Sequence, residues 1–274
     1  MFVKMHGLRN HFCIVDARQV PYRPSREEIV HLCDPEVGVG GDQLVVIEPP
    51  AGDPRAAASI RFWNVDGREV EACGNATRCV AWLLLEEQSL NEVFLQTQAG
   101  LLECHRIAPF RVSTGMGRIR SGWRDIPLAE ARDTVHLDVG NGALRDGVAL
   151  NIGNPHVVFF VDDLDAVDVE ALAPAIQNDP LFPEQANVGV AQMRSPERMR
   201  LVVYERGAGL TKACGSGACV AHFAALARGL TDARRMTVEL PGGELEIEIL
   251  ADGSAVMTGP VAFCFSGFLP DGEE

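Results

Sequence analysis

EACGNATRCVAW, residues 71–82, decides the fold of this 274-residue chain, because KACGSGACVAHF, residues 212–223, is a second copy of it. Each copy reads Ala-Cys-Gly, then a small polar residue, then an apolar run of helical character. ACGNATRCVA and ACGS-GACVA align with one single-residue gap, and the likeness continues upstream. Asn64 lies nine residues before Cys73, and Glu205 lies nine before Cys214, each after an apolar run that reads as a strand. Cysteine, glycine, following helix and preceding strand agree together, which is the mark of a duplicated domain.

Working outward, FVKMHGLRNHFCIVD reads as two strands around a turn at His6 to Asn10. PSREEIVHLC reads as a helix with a Ser25 cap and acidic residues in its first turn. GVGGDQLVVIEPP is a glycine turn feeding a strand, and Asp66-Gly67 turns a short hairpin before the first cysteine. ATRCVAWLLLEEQ is apolar on more than one face, so the helix it forms is expected to be buried all round. VFLQTQAGLLECHRI reads as a hairpin around Ala99-Gly100. The second half repeats the plan: strands around a GNPH turn, LVVYERGAGLTKACGSG, an apolar helix closed by Gly229, and hairpins at Gly242-Gly243 and Asp252-Gly253.

The expected class is α+β: two pseudo-symmetric domains, each a mostly antiparallel curled sheet around a central helix. A break in pattern at Ser113 to Gly117 puts the expected domains at 1–117 and 118–261.

Composition narrows the function. A net charge of −14 gives no basic excess to neutralise phosphates, so nucleic acid is not an expected partner. No apolar run approaches the ~20 residues of a membrane span, and the N-terminus lacks the apolar centre of a signal peptide, so a cytoplasmic, membrane-free protein is expected. Lysine occurs only at Lys4 and Lys212, neither in a setting that suits a pyridoxal phosphate Schiff base. The eight cysteines include no C-x-x-C pair, so neither a zinc ribbon nor a thioredoxin-type site is expected, and no metal or cofactor. Cys13, Cys33, Cys79, Cys104, Cys219 and Cys264 read as buried small hydrophobes.

Cys73 and Cys214 read differently, because each stands at the mouth of a helix. A helix N-terminus offers unpaired N–H groups and a positive dipole end, which stabilise a thiolate and bind a carboxylate. Two such ends suit inversion of a carbon next to a carboxylate. One thiolate takes the α-proton from one face, the other thiol returns a proton to the opposite face, and the N–H groups hold the charged intermediate. The glycine after each cysteine lets backbone approach the ligand.

The motifs KMHGLRNHF (4–12), GVGGDQ (38–43), WNVDGREVEACGNATRCVA (63–81), GNPH (153–156), ANVG (186–189) and YERGAGLTKACGSGA (204–218), in this order, resemble the diaminopimelate epimerase family. The resemblance implies a cofactor-independent epimerase acting on LL- and meso-2,6-diaminopimelate in the lysine and peptidoglycan precursor route, with Cys73 and Cys214 as the acid–base pair. It implies Asn10 and Gln43 beside the reacting end, and Gly74-Asn75 and Gly215-Ser216 as donors to the reacting carboxylate. Asn64, Asn154, Asn187, Glu205 and Arg206 are implied to hold the distant amino acid end. An arginine fork suits a carboxylate, and a glutamate suits an ammonium. A homodimer, a site in the cleft between the domains, and return of residues 262–274 to the first domain are implied in the same way.

This chain departs from the usual GLGNDF, carrying GLRNHF, so Arg9 stands where glycine is usual. CGNATRC replaces the commoner CGNGARC, and Ser216 replaces threonine.

Other readings compete. A proline or hydroxyproline racemase-epimerase would share the paired cysteines but would not need Glu205, Arg206 and three asparagines for a second charged end. A single-base isomerase of the phenazine type does not need both cysteines. A non-catalytic redox switch would use the two thiols as a disulfide.

Overall fold

The structure, a computed structural model, describes residues 1–269. It is α+β and divides into two compact units. One comprises Met1–Thr114 with the chain from Gly259 onward, the other Gly115–Thr258.

The first unit runs β1 (Phe2–Gly7), β2 (Asn10–Asp16), α1 (Arg26–Cys33), β3 (Gln43–Glu48), β4 (Ala58–Asn64), β5 (Glu69–Val70), α2 (Gly74–Gln88), β6 (Glu92–Thr97), β7 (Gly100–Ala108) and β8 (Arg111–Arg118). The second repeats it: β9 (Val148–Asn151), β10 (Pro155–Phe160), α3 (Val169–Gln177), β11 (Asn187–Ser195), β12 (Arg198–Glu205), β13 (Gly209–Leu210), α4 (Gly215–Ala227), β14 (Arg235–Leu240), β15 (Gly243–Ile249) and β16 (Ser254–Pro260).

The ladders repeat as well. β2 runs parallel to β3 across α1, as β10 does to β11 across α3. β4 runs parallel to β6 across α2, as β12 does to β14 across α4. The pairs β1–β2 and β6–β7 are antiparallel, as are β9–β10 and β14–β15. A parallel pair needs a crossover, which is why each unit carries a helix at both places.

Strands β2 and β3 are buried on both faces, and their apolar runs FCIV and LVVI are continuous rather than alternating. Phe12, Ile14, Val45 and Ile47 face α2, packing with Cys79, Val80, Leu84 and Leu85. The alternate residues Cys13, Val15, Leu44 and Val46 pack with Ile29 and Leu32 of α1. At about 1.5–3 kcal/mol for each large apolar side chain removed from water, α2 is held by packing rather than by propensity.

The Ser25 hydroxyl accepts from Glu28 N at 3.2 Å, capping α1 where the sequence placed the cap. The sequence reading did not find α3. Its Asp168 cap and first-turn Glu170 are helix signals, but Pro174 lies inside the helix and breaks the apparent pattern.

β17 (Ala262–Gly267) pairs antiparallel with β1. Residues 270–274, the remainder of the segment expected to return to the first domain, lie outside the described residues. Cys13, Cys33, Cys79, Cys104 and Cys219 are buried as expected, whereas Cys264 is exposed. The reason is its strand: Phe263 to Ser266 are exposed on both faces of β17. Among the described residues, no helix is long and apolar enough to cross a membrane.

Candidate active site

The cysteines occupy matching places. In the first unit β4 ends at Asn64, a turn leads to the two-residue β5, and Cys73 caps α2 with extended dihedrals (φ −147°, ψ 105°). In the second, β12 ends at Glu205, a turn leads to β13, and Cys214 caps α4 (φ −117°, ψ 106°). Both first turns close on the cysteine carbonyl, from Thr77 N at 2.9 Å and Ala218 N at 3.0 Å. Gly217 allows α4 to lie close to β12, since a Cβ there would meet Val203 Cγ2 at 2.9 Å.

Register aligns the other candidate residues. Gln43 opens β3 and pairs with Asn64. Asn187 opens β11, one residue before the Val188–Tyr204 pair, and Glu205 follows Tyr204. Phe12 pairs with Gln43 and His156 with Asn187, so Asn10 and Asn154 stand equally far before their partners. The duplication therefore matches Asn10 with Asn154, Gln43 with Asn187, Asn64 with Glu205, and Cys73 with Cys214.

In the first unit, Gln43 Nε2 donates to Asn64 Oδ1 at 2.9 Å. Asn75, in the first turn of α2, donates from Nδ2 to Asn10 Oδ1 at 3.3 Å. The Asn10 amide in turn donates to Asp42 Oδ2 at 3.1 Å, and His11 N donates to the same oxygen at 2.6 Å. Asn10, Gln43, Asn64, Gly74 and Asn75 thus lie on the strand ends and helix mouth that flank Cys73.

In the second unit, His156 Nε2 lies 3.0 Å from Asn154 Oδ1. Burial pushes the His156 imidazole down to about 3, with the Arg206 charge adding to the effect, so the ring is neutral. Asn187 donates from Nδ2 to Pro155 O at 3.2 Å and accepts from Arg206 N at 2.8 Å. Arg206 Nη1 donates to Glu184 O at 2.7 Å.

Glu205 follows Tyr204 at the end of β12 and stands beside Cys214. Its carboxylate accepts from Thr211 Oγ1 and is hydrogen-bonded to the Cys214 thiol. Burial raises the Glu205 pKa, and the two hydrogen bonds lower it in part. The Cys214 pKa lies well above that of an ordinary thiol, first because of burial and second because of the Glu205 charge. Contacts with Ser216 Oγ at 3.5 Å and Gly217 N at 3.4 Å act the other way. A helix N-terminus contributes about 0.3–1 kcal/mol to an anion at an exposed site. At Cys214 burial and the neighbouring carboxylate outweigh it.

Asp42, Arg78 and Thr211 are additions to the residues read from sequence, whereas His156 already reads there as able to orient a site group. Asp42 and Arg78 lie inside quoted motifs, next to Gln43 and Cys79, so position was available as a signal; their partners were not.

Comparisons place this geometry among known proteins. A family model for diaminopimelate epimerase matches residues 2–120 and 148–264. The chain is 49% identical over 273 residues to the diaminopimelate epimerase of Phenylobacterium zucineum, covering 98% of this chain and 97% of that one. It is 47% identical over 270 residues to that of Rhodospirillum centenum, covering 98% and 92%. Among solved structures, a hydroxyproline epimerase from Agrobacterium vitis is similar with a TM-score of 0.68 at 18% identity, covering 96% of this chain and 88% of that one. A Bacillus anthracis phenazine biosynthesis protein of the PhzF family gives 0.64 at 16%, covering 96% of each chain. At such identities these two likenesses concern the fold alone.

Proposed function

The chain belongs to the diaminopimelate epimerase family, and from that premise we propose that it interconverts LL- and meso-2,6-diaminopimelate by proton transfer at one α-carbon. The observation that carries the reading is the pair of cysteines capping α2 and α4 at matching places of a duplicated unit.

The Cα–H bond breaks as a thiolate takes the proton, leaving charge on the α-carbon and its carboxylate. N–H groups of Gly74-Asn75 and Gly215-Ser216 stabilise that carboxylate. The second thiol delivers its proton to the opposite face, so the two sulfurs end with their roles exchanged and no cofactor is consumed. In the LL-to-meso direction Cys73 is the base and Cys214 the acid. Supporting this, the Cys214 thiol is buried and hydrogen-bonded to the Glu205 carboxylate, an arrangement that keeps the proton on sulfur. Cys73, at the mouth of α2, meets the dipole end that favours an anion. Asn10 and Gln43 hold the reacting end. Asn64, Asn154, Asn187 and the guanidinium of Arg206 hold the distant end, while Glu205 acts beside Cys214.

The enzyme works in the cytoplasm, in lysine and peptidoglycan precursor biosynthesis, as a homodimer. Eight free thiols suit a reducing compartment. Exposed Phe263, Phe265 and Phe268 on and after β17 give a second copy an aromatic surface to cover.

The decisive experiment incubates reduced protein with LL-diaminopimelate in deuterated water and follows the α-proton signal and the meso isomer. Deuterium uptake with inversion at one centre is expected, and Cys73→Ala or Cys214→Ala should each lower turnover by three orders of magnitude or more, about 4 kcal/mol. Full turnover in either variant removes the two-base mechanism. Exchange on hydroxyproline instead moves the chain to the proline-type relatives.

A further inference from the structure

Four side chains of the first unit form one directed chain of hydrogen bonds. Arg78, with no exposed surface, donates from Nη2 to Asn75 Oδ1 at 2.8 Å. Asn75 Nδ2 donates to Asn10 Oδ1 at 3.3 Å, and Asn10 Nδ2 donates to Asp42 Oδ2 at 3.1 Å. The ends of this chain have no freedom in their roles. A guanidinium only donates, and a carboxylate only accepts. An asparagine amide can flip its oxygen and nitrogen, but here the flip is dictated from both sides. Arg78 draws the Asn75 oxygen toward itself, which turns the Asn75 NH2 toward Asn10. Asp42 draws the Asn10 NH2 toward itself, which leaves the Asn10 oxygen for Asn75.

Two further observations show a built device. Gly7 carries no side chain where a Cβ would meet Arg78 Nη2 at 3.2 Å and the Asn75 carbonyl oxygen at 3.4 Å, so the β1–β2 hairpin lies close against the first turn of α2. The second unit has neither end. By the register that matches Gln43 with Asn187, Asp42 corresponds to Ala186. By the alignment of Cys79 with Cys219, Arg78 corresponds to Ala218. Both alanines are fully buried. The two charges are present together in one unit and replaced together in the other, as expected of parts that act through each other.

We infer that Arg78 and Asp42 are positioning residues for the epimerisation: they hold Asn10 and Asn75 in one amide orientation, so that the donors and acceptors presented to the reacting amino acid end are fixed before it binds. The inference rests on the proposed reading that Asn10 and Asn75 serve that end. Preorganised partners matter because a small misplacement of a binding group costs large factors in rate.

Asp42→Asn is the informative variant. It is nearly isosteric, lies at an exposed position, and replaces an obligate acceptor by an amide that can turn either way. In the full-length protein, kcat/KM for LL-diaminopimelate should fall about tenfold or more, chiefly through KM, with the thermal midpoint little changed. Arg78→Lys should fall in the same direction. The double variant should lose less than the product of the two single losses, because one relay is broken twice. An Asp42→Asn enzyme with the wild-type kcat/KM overturns the inference, as does strict multiplicativity in the double variant. A readout independent of turnover separates this from the proposed activity. The side-chain amide NMR signals of Asn75, two links from the substitution, should move in Asp42→Asn. Unmoved Asn75 signals overturn the relay even in an active enzyme. A wild-type protein with no activity on diaminopimelate, in which Asn75 does respond, overturns the substrate assignment instead.

Discussion

Arg9 shows at the scale of one residue what the site demands of its backbone. Leu8 and Arg9 form the two-residue turn between β1 and β2, with φ of 55° and 63°. Such a turn needs positive φ at both positions and favours Asn-Gly or Gly-Gly. Neither residue here is glycine. Leu8 is buried, which anchors the turn by packing, and Arg9 N lies 3.4 Å from His6 Nδ1. The next residue is Asn10, so the turn sets where the third member of the relay from Arg78 stands. A left-handed residue with a side chain costs about 1–2 kcal/mol. Glycine relieves that but frees the unfolded chain by about 0.4–1 kcal/mol. Arg9→Gly should therefore stabilise the protein by up to about 1 kcal/mol, measured as a higher urea midpoint at unchanged slope. A lower midpoint would show that the Arg9 side chain contributes more than its backbone costs. The sequence flagged this position, because glycine is usual there; it could not tell that the backbone accepts the strain rather than changing the turn.

At the scale of the element, α2 and α4 begin alike and are tuned differently by what surrounds them. α2 carries Arg78 in its second turn, whereas α4 carries Ala218 and meets Glu205 from the end of β12. The Glu205 charge disfavours a thiolate at Cys214. Glu205→Gln removes that charge, so the Cys214 pKa should fall relative to the wild type. The check is the pH dependence of iodoacetamide alkylation at Cys214, read by mass spectrometry; its midpoint should move to lower pH. A midpoint that stays or rises would mean that burial, rather than Glu205, governs the thiol. The cysteines, their glycines and both helices were legible in the sequence, because capping and apolar runs are local signals. The pairing of Glu205 with Cys214 was not, because it depends on β12 and the α4 N-terminus meeting in space. α3 was missed for a local reason, the interior Pro174.

At the scale of the whole molecule, the outstanding feature is the aromatic surface of β17. Phe263 and Phe265 are about half exposed, at 47% and 46%, and Phe268 is 83% exposed, a larger apolar area than isolated surface residues present. Phe265 already packs edge-on against Phe2 and lies under Lys4 Nζ at 5.6 Å from the ring centroid. A homodimer through this strand predicts that Phe265→Ser combined with Phe268→Ser shifts the protein toward monomer in sedimentation at micromolar concentration. A wild-type protein that sediments as a monomer there would end the dimer reading.

The sequence alone determined the duplication, the class of fold and the two cysteines, because each is written in a local pattern: a capping residue, a glycine, an apolar period repeated once along the chain. It also carried the family, since the motifs fall in order along the chain. Tertiary structure alone decided the partners. The carboxylate beside Cys214 and the chain from Arg78 through Asn10 to Asp42 join residues carried on different elements. A hydrogen bond to a distant side chain leaves no periodic trace. It becomes visible only when the strands that carry its two ends are in register.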